Sequence, residues 1–228
     1  MSKFPLAVLL TSLSFGSPAA AQDKDTSKRL AEAGAAFTQI MGAEDKAIHA
    51  GVLEKAECVV IIPGMKKGGF IVGGSFGKGA VSCRGAGKSG WGAPAMLEMG
   101  GGSVGFQLGA SSTDVIMLIM DKAGMDSLLK SKFTLGGDAS VAAGPVGRAT
   151  SAETDAAMKA KILTYSRSSG AFAGVSLSGT TLKQDNDGNK ELYGKPAEAT
   201  EILSGKMAAP AAAAPMVGAL TKYSPKGK

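Results

Sequence analysis

Glycine supplies 33 of the 228 residues, about twice the roughly 7% found in an average protein. Each glycine inside a helix costs roughly 1 kcal/mol relative to alanine, so this content excludes a long helical bundle. The glycines follow no three-residue period and proline contributes only 9 residues, which excludes collagen. Hydrophobic residues make up 44% of the chain, too many for a disordered protein, so we expect one folded domain with a tail.

The first 21 residues have the pattern of a secretory signal. Lys3 is followed by an apolar run that ends at Phe15, and then by Ala19-Ala20-Ala21, a small-residue cleavage motif. The run is shorter than the roughly 20 residues that a membrane-spanning helix needs. The pattern predicts cleavage before Gln22 and export, in a bacterium to the periplasm.

Export makes a disulfide between Cys58 and Cys83 chemically possible. If the strands form a simple meander, however, the two cysteines flank a middle strand from opposite sides. Two strand spacings amount to roughly 9.6 Å, which exceeds the roughly 7 Å limit on the Cα separation of a disulfide. The spacing therefore favours two small buried thiols, and leaves the disulfide open.

Four regions follow from the pattern of apolar residues and glycines. After the signal, apolar residues recur at helical spacing in 28–41 and 44–57, and from Cys58 short strands alternate with glycine turns such as Pro63-Gly64 and Gly77-Lys78-Gly79. An alanine and proline tract then leads into a lysine-bearing end. The predicted regions are a signal peptide (1–21), an N-terminal helical segment packed on the domain (22–57), a β-rich domain (58–205) and a disordered Ala/Pro/Lys tail (206–228).

The fold class predicted by this order is α+β. Short loops imply antiparallel neighbours, and glycines inside strands mark bulges, sharp bends or close approach of two backbones. We therefore expect a glycine-rich, strongly curved antiparallel sheet system, sandwich-like or barrel-like, covered by N-terminal and C-terminal helices.

The net charge of +6 is unevenly distributed, because residues 22–205 hold 20 basic and 19 acidic side chains and are nearly neutral as a whole. Within this folded part the positive charge is concentrated in one region, and the tail is basic. A stretch without acids lies between Pro63 and Leu97, and Phe70 and Trp91 fall within it. Such a cluster suits an anionic lipid headgroup, at roughly 1 kcal/mol per basic residue near the surface, whereas the alternative is a set of solvated hairpin loops. The candidate lipid-binding residues are Lys66, Lys67, Lys78, Arg84, Lys88 and Trp91.

Trp91 has two interpretations, insertion at a membrane interface or packing in the core. Nucleic acid is not expected as a partner, because aromatic residues are only 5% of the chain and offer few stacking platforms.

Two segments match the letters of a hydrolase motif but lack the structural context that the motif requires. Residues 73–77 and 101–105 both spell G-x-S-x-G, but that motif needs a strand, a turn and a helix, with a histidine after the serine. The only histidine, His49, lies upstream. The sequence also offers no cluster of metal ligands, so it predicts a protein that is not an enzyme, with no cofactor and no metal.

Five blocks in the same order resemble the SYLF domain, and the resemblance covers roughly residues 48–194. The blocks are 68–79 (GGFIVGGSFGKG) with Arg84, 91–94 (WGAP), 105–109 (GFQLG) with Asp114-Val115, 144–148 (GPVGR) and 165–177 (YSRSSGAFAGVSL). The resemblance implies lipid binding: eukaryotic SYLF domains bind phosphoinositide membranes and some bind actin, and bacterial members are described as exported lipid-binding proteins.

Taken with the predicted export, the resemblance implies a non-catalytic protein that associates with anionic phospholipid at a membrane surface, with phosphatidylglycerol or cardiolipin as the lipid. Actin is not expected as a partner in that compartment. Arg148 and Arg167, which fall within family blocks, are expected to be structural hydrogen-bond donors. The alternative is a structural or stress-related envelope protein that acts through protein contacts, marked by an exposed apolar patch away from the basic hairpins.

Overall fold

The computed structural model describes residues 23–43, 48–69, 72–85, 90–104, 109–128, 130, 132–145, 159–168, 171–174 and 177–226. The helices are α1 (Asp23–Met41), α2 (Ala50–Leu53), α3 (Lys122–Leu128), α4 (Asn186–Tyr193), α5 (Ala199–Glu201) and α6 (Ala214–Tyr223). The strands are β1 (Cys58–Gly69), β2 (Val72–Cys83), β3 (Ala95–Val104), β4 (Gly109–Ile119), β5 (Lys132–Thr134), β6 (Val141–Ala143), β7 (Ile162–Ser168), β8 (Ala171–Gly174) and β9 (Thr181–Gln184). The predicted signal segment lies outside the described residues.

All the strands of the described residues join one sheet. Its order is β5-β9-β3-β2-β1-β4-β7-β6, with β8 paired to β7. The pairs are antiparallel except for β6 with β7. The predicted α+β class, with a curved, glycine-rich antiparallel sheet and helices at both ends of the chain, is confirmed.

Each face of the sheet carries its own core. Side chains alternate between the faces along a strand, so Val59 and Ile61 pack under α1 and α6, while Val60 and Ile62 pack toward α3 and the curled β5–β9 edge. We call the side under α1 the outer face. Leu30 and Phe37 of α1 are fully buried there.

The two central strands are longer than predicted. β1 passes through Pro63-Gly64 with a shift of register, and β2 passes through Gly77-Lys78-Gly79 without a break. Gly64 has φ +57°, a conformation that glycine adopts without steric cost, and its N–H donates to Asp114 Oδ1 at 2.8 Å. The glycine groups predicted as turns are therefore a bulge and a stretch of close strand contact.

The continuity of β2 also corrects the prediction for the cysteines. Cys58 is directly opposite Cys83 in the β1–β2 register, and the two form a disulfide with a Cα–Cα distance of 3.9 Å. The predicted separation assumed an additional strand between them. Because β2 runs unbroken to Cys83, no strand lies between the two cysteines.

Gly79 allows the close approach of β1 and β2. A Cβ at this position would lie 2.8 Å from Ile62 Cα and closer still to the Ile61 carbonyl oxygen. Both neighbours are backbone, so neither can move aside independently. The absence of a side chain at Gly79 is thus a condition for the tight curvature of the sheet.

Gly79→Ala is expected to lower the free energy of unfolding by about 2–3 kcal/mol, in the upper range for overpacked sites. Urea unfolding followed by circular dichroism measures the change. Gly102→Ala is the matched control, because a Cβ at Gly102 meets nothing within 4 Å and the change should stay within about 0.5 kcal/mol. Equal stability of the two variants would contradict this explanation of the curvature.

The segment 206–228, predicted to be a disordered tail, contains the ordered helix α6. Met216 and Leu220 are fully buried at helical spacing, and they pack on α1 in the outer core. The two helices cross closely, since a Cβ on Gly34 would be 2.5 Å from the Pro215 carbonyl oxygen. The prediction was wrong because the composition of the alanine and proline tract was extended to the residues after it, where Met216 and Leu220 have the spacing of a helix face.

Candidate functional site: a bare face of the sheet

The helices of the described part of the chain leave one end of the outer face uncovered. Lys66 of β1 is opposite Phe76 of β2 and Ser112 of β4, and Phe76 is opposite Gly100 of β3. Gly74 and Gly102 pair in the same way two residues further along. We call this surface the bare face and define it by Lys66, Gly74, Phe76, Gly100, Gly102 and Ser112.

The bare face is open because half of its six positions are glycines. A Cβ at Gly102 would meet nothing within 4 Å, and one at Gly100 would first meet the Ser75 carbonyl oxygen at 3.7 Å. Phe76 is 52% exposed, and among the described residues it is the one large hydrophobic side chain that is exposed. Exposed sheet backbone with one protruding ring is thus available to a ligand or partner.

A chain of ion pairs borders the bare face. Lys78 contacts Glu98 at 2.7 Å and Asp185 at 3.0 Å, and Lys183 contacts the other oxygen of Glu98 at 2.8 Å. Arg29 of α1 reaches Asp185 at 3.3 Å. Burial alone would lower the pKa of Lys78, but its hydrogen bonds and ion pairs with Glu98 and Asp185 outweigh burial and raise it. Lys78 therefore links β2 to Glu98 of β3 and to Asp185, which precedes α4.

Two lysines beside the bare face carry charge that is not compensated in this way. Among the described residues, no carboxylate forms an ion pair with Lys66 or Lys132. Lys66 Nζ donates to Ser112 Oγ at 3.2 Å, and Lys132 is opposite Lys183 in the β5–β9 register. Both side chains are exposed, so they give this end of the molecule an excess of positive charge.

Next to the bare face, a groove of about 510 Å³ separates α1 from the sheet. Its charged floor is the pair Arg167–Asp114, with Nη2 and Nε of Arg167 donating to Asp114 Oδ2 at 2.6 and 3.1 Å. Asp114 also accepts the Gly64 N–H. Arg167 thus stabilises the bulge of β1, as predicted of a structural hydrogen-bond donor, while Arg148 lies outside the described residues.

Arg84 and Trp91 are buried far from this surface. The guanidinium of Arg84 lies 4.0 Å from the Trp91 ring centroid and donates to Ser224 Oγ at 2.6 Å and to the Ala56 carbonyl at 3.0 Å. Trp91 Nε1 donates to the Ser224 carbonyl at 2.8 Å. Burial lowers the pKa of Arg84, against the opposing effect of Glu57 and Glu54. We call this cluster the Ser224 latch, because it holds the end of α6 against β2.

The six candidate lipid-binding residues therefore do not form one cluster. Lys66 and Lys67 occupy successive positions of β1, so they point to opposite faces, and Lys88 lies outside the described residues. Lys78, Arg84 and Trp91 are engaged in internal contacts. Binding of lipid by these residues stays a prediction, and of the five that the structure describes only Lys66 lies on the bare face.

Sequence reasoning missed Phe76, Lys132 and Lys183. Their association depends on β9 returning beside β3 and on β5 joining its edge. The only local signal was the position of Phe76 among glycines, where a large side chain has few neighbours to cover it. No such signal marked the lysines of β5 and β9.

Neither a metal centre nor a membrane-spanning helix is found among the described residues. No three histidine, cysteine, aspartate or glutamate side chains in that part of the chain come together in a way that would hold a metal ion. None of the helices described there has both the length and the apolar character that crossing a bilayer requires.

Comparison with known proteins gives one family and several relatives. A family model described as "Ysc84: Las17-binding protein actin regulator" matches residues 100–223. SH3 domain-containing protein PJ696.02 of Schizosaccharomyces pombe is 38% identical over 181 residues, which cover 78% of this chain and 41% of that protein. LAS seventeen-binding protein 3 of Saccharomyces cerevisiae is 34% identical over 200 residues (85% and 43%), and SH3 domain-containing YSC84-like protein 1 of Homo sapiens is 32% identical over 207 residues (89% and 60%). The chain thus spans about half the length of these relatives.

These relatives overturn two predictions. The periplasmic location is wrong, because the relatives are proteins of yeasts and mammals, named for LAS seventeen binding or for an SH3 domain rather than as exported bacterial lipid-binding proteins. The exclusion of actin is also wrong, because the matching family is described as an actin regulator. The names of the relatives describe binding proteins and regulators, not enzymes.

Proposed function

Since the chain belongs to the Ysc84 family, the family of the SYLF domain that its sequence blocks resemble, we propose that it is a non-catalytic binding module that associates with anionic phospholipid at a membrane surface. The observation that carries the proposal is the pairing of the exposed Phe76 with Lys66 across β1 and β2. Lys66 forms no ion pair with a carboxylate of the described residues. An aromatic ring suits the interface of a bilayer, and lysines next to it are attracted to acidic headgroups.

The bare face has the shape that surface association needs. At Gly74, Gly100 and Gly102 no side chain stands beside Phe76, so headgroups can approach the backbone closely. Lys66 lies on one side of the ring, and Lys132 and Lys183 lie on the other, around a cleft that Phe76 also lines. The ring and the lysines therefore face the same partner, with the ring entering the interface and the lysines remaining at headgroup level.

Flotation with vesicles tests the proposal. The full chain should float with vesicles of phosphatidylglycerol and phosphatidylcholine and much less with phosphatidylcholine alone, and rising salt should weaken binding as it screens exposed charges. Lys66→Ala should weaken the partition coefficient about fivefold, which corresponds to roughly 1 kcal/mol. Phe76→Ala should weaken binding at low and high salt alike.

Lys55→Ala is the matched control, because Lys55 is an exposed lysine outside the bare face and its removal changes the net charge equally. If Lys55→Ala and Lys66→Ala reduce flotation equally, the binding is a general charge effect and the bare face is not the site. Equal flotation with both vesicle types would reject the preference for anionic lipid.

A protein partner of the actin machinery is the second candidate function. The description of the family as Las17-binding actin regulators favours it. Cosedimentation of the full chain with actin filaments, in the absence of lipid, tests this candidate directly. Pelleting above the level of an unrelated protein of similar charge supports it, and pelleting equal to that protein rejects it.

A further inference from the structure

A cleft of about 320 Å³ opens beside the bare face, between β2, β3 and the β5–β9 edge. Its volume is at the lower end of the roughly 300–1,000 Å³ range of small-molecule sites. The residues that line it include Phe76, Glu98, Gly100, Lys132, Thr181 and Lys183.

The floor of the cleft is apolar and open. The ring of Phe76 forms one wall, and Gly100, opposite it in the register, contributes bare backbone. A Cβ at Gly100 would meet no atom closer than the Ser75 carbonyl oxygen at 3.7 Å. An alkyl chain can therefore lie across Gly100 against the ring, in the space that a side chain at this position would fill.

The rim of the cleft has one excess positive charge. Lys132 and Lys183 are opposite each other on β5 and β9, and the one lining carboxylate, Glu98, already contacts Lys183 at 2.8 Å and Lys78 at 2.7 Å. Lys132 forms no ion pair with a carboxylate of the described residues. A single negative charge placed between the two lysines would balance the rim.

We propose that this cleft binds one fatty acid, with its carboxylate between Lys132 and Lys183 and its alkyl chain along Phe76 and Gly100. The inference rests on the proposed function, since both assign Phe76 to the apolar part of a lipid. It goes further by assigning a binding site for a single soluble molecule, which does not require a bilayer. A fatty acid fits better than a diacyl lipid, because the cleft holds only about 320 Å³ and its excess charge is one.

Titration of the full chain with monomeric decanoate, below its aggregation concentration, tests the site by calorimetry or by NMR. Saturable binding at one molecule per chain is expected. Decyltrimethylammonium has the same chain length and the opposite charge and should bind at least tenfold more weakly. Acetate, which has the charge and no chain, should give no saturable binding.

Two variants locate the site. Gly100→Val fills the cleft and should weaken decanoate binding at least tenfold, and Lys132→Glu should weaken it at least fivefold. Lys130→Glu is the matched control, because it makes the same charge change at an exposed lysine two positions away that does not line the cleft. Should Gly100→Val fail to fold, Lys132→Glu against Lys130→Glu decides the question alone.

Decanoate binding that survives Gly100→Val, or that Lys130→Glu and Lys132→Glu reduce equally, would overturn the site. Absence of saturable decanoate binding would also overturn it. Flotation with phosphatidylglycerol vesicles separates this failure from failure of the proposed function. If the wild-type chain floats but does not bind decanoate, only the fatty acid site is rejected, and if it does neither, both proposals are rejected.

Discussion

Replacement of Arg84 by alanine is expected to lower the free energy of unfolding by about 3–5 kcal/mol. The guanidinium donates to Ser224, Ala56 and Leu53 in a buried site and stacks on Trp91 at 4.0 Å. Hydrogen bonds to charged groups contribute about 1.5–3 kcal/mol each, and the Ala56 carbonyl would lose the donor that Arg84 Nε supplies. Urea unfolding followed by Trp91 fluorescence measures the loss, because Trp91 is the only tryptophan of the chain and is part of the latch.

Lys222→Ala is the control for this variant. Lys222 also lies over an aromatic ring, at 5.1 Å from Tyr223, but it is exposed, so its removal should cost no more than about 1 kcal/mol. Arg84→Lys should fall between the two, because an ammonium keeps the charge and loses the planar fork of donors. If Arg84→Ala is no less stable than Lys222→Ala, the Ser224 latch does not stabilise the fold.

Removal of the disulfide is expected to cost about 3.5 kcal/mol. The bond joins residues 25 positions apart, and closing a loop of that length in the unfolded chain accounts for roughly this free energy. The double variant Cys58→Ser, Cys83→Ser should therefore unfold at a lower urea concentration than the oxidised protein.

The wild-type chain in reductant is the internal control, since it should unfold near the midpoint of the double variant. The chain has two cysteines, so no other disulfide can contribute within one molecule. An unfolding midpoint of the wild type that is the same with and without reductant would contradict the contribution of the bond.

The fold class followed from the glycines, but the lengths of the strands did not. The sequence Gly77-Lys78-Gly79 is typical of a turn, but glycines also occur where two backbones approach closely. Gly79 is such a case, because it lies against the backbone of Ile61 and Ile62. That choice depends on the neighbouring strand, which local patterns do not contain. The error then carried over to the cysteines, whose pairing depends on β2 being one strand.

The binding surface was harder to predict than the fold. Five basic residues are close in the sequence, yet ion pairs and burial give two of them quite different roles. Lys78 contacts Asp185, which is 107 positions away, and Arg84 contacts Ser224, 140 positions away. Contacts between residues so far apart in the sequence produce no pattern in the sequence around either residue. The helix α6 is a partial exception, because Met216 and Leu220 do have helical spacing.

The packing of α6 on α1 has a consequence for synthesis of the protein. The first and last described helices share the outer core, and Phe37 meets Tyr223 edge to face at 6.0 Å. During synthesis α1 leaves the ribosome long before α6. The apolar residues of α1 therefore lack the contacts with α6 while the sheet forms. Nascent chains that stop before Ala214 would present Leu30 and Phe37 to chaperones or to one another.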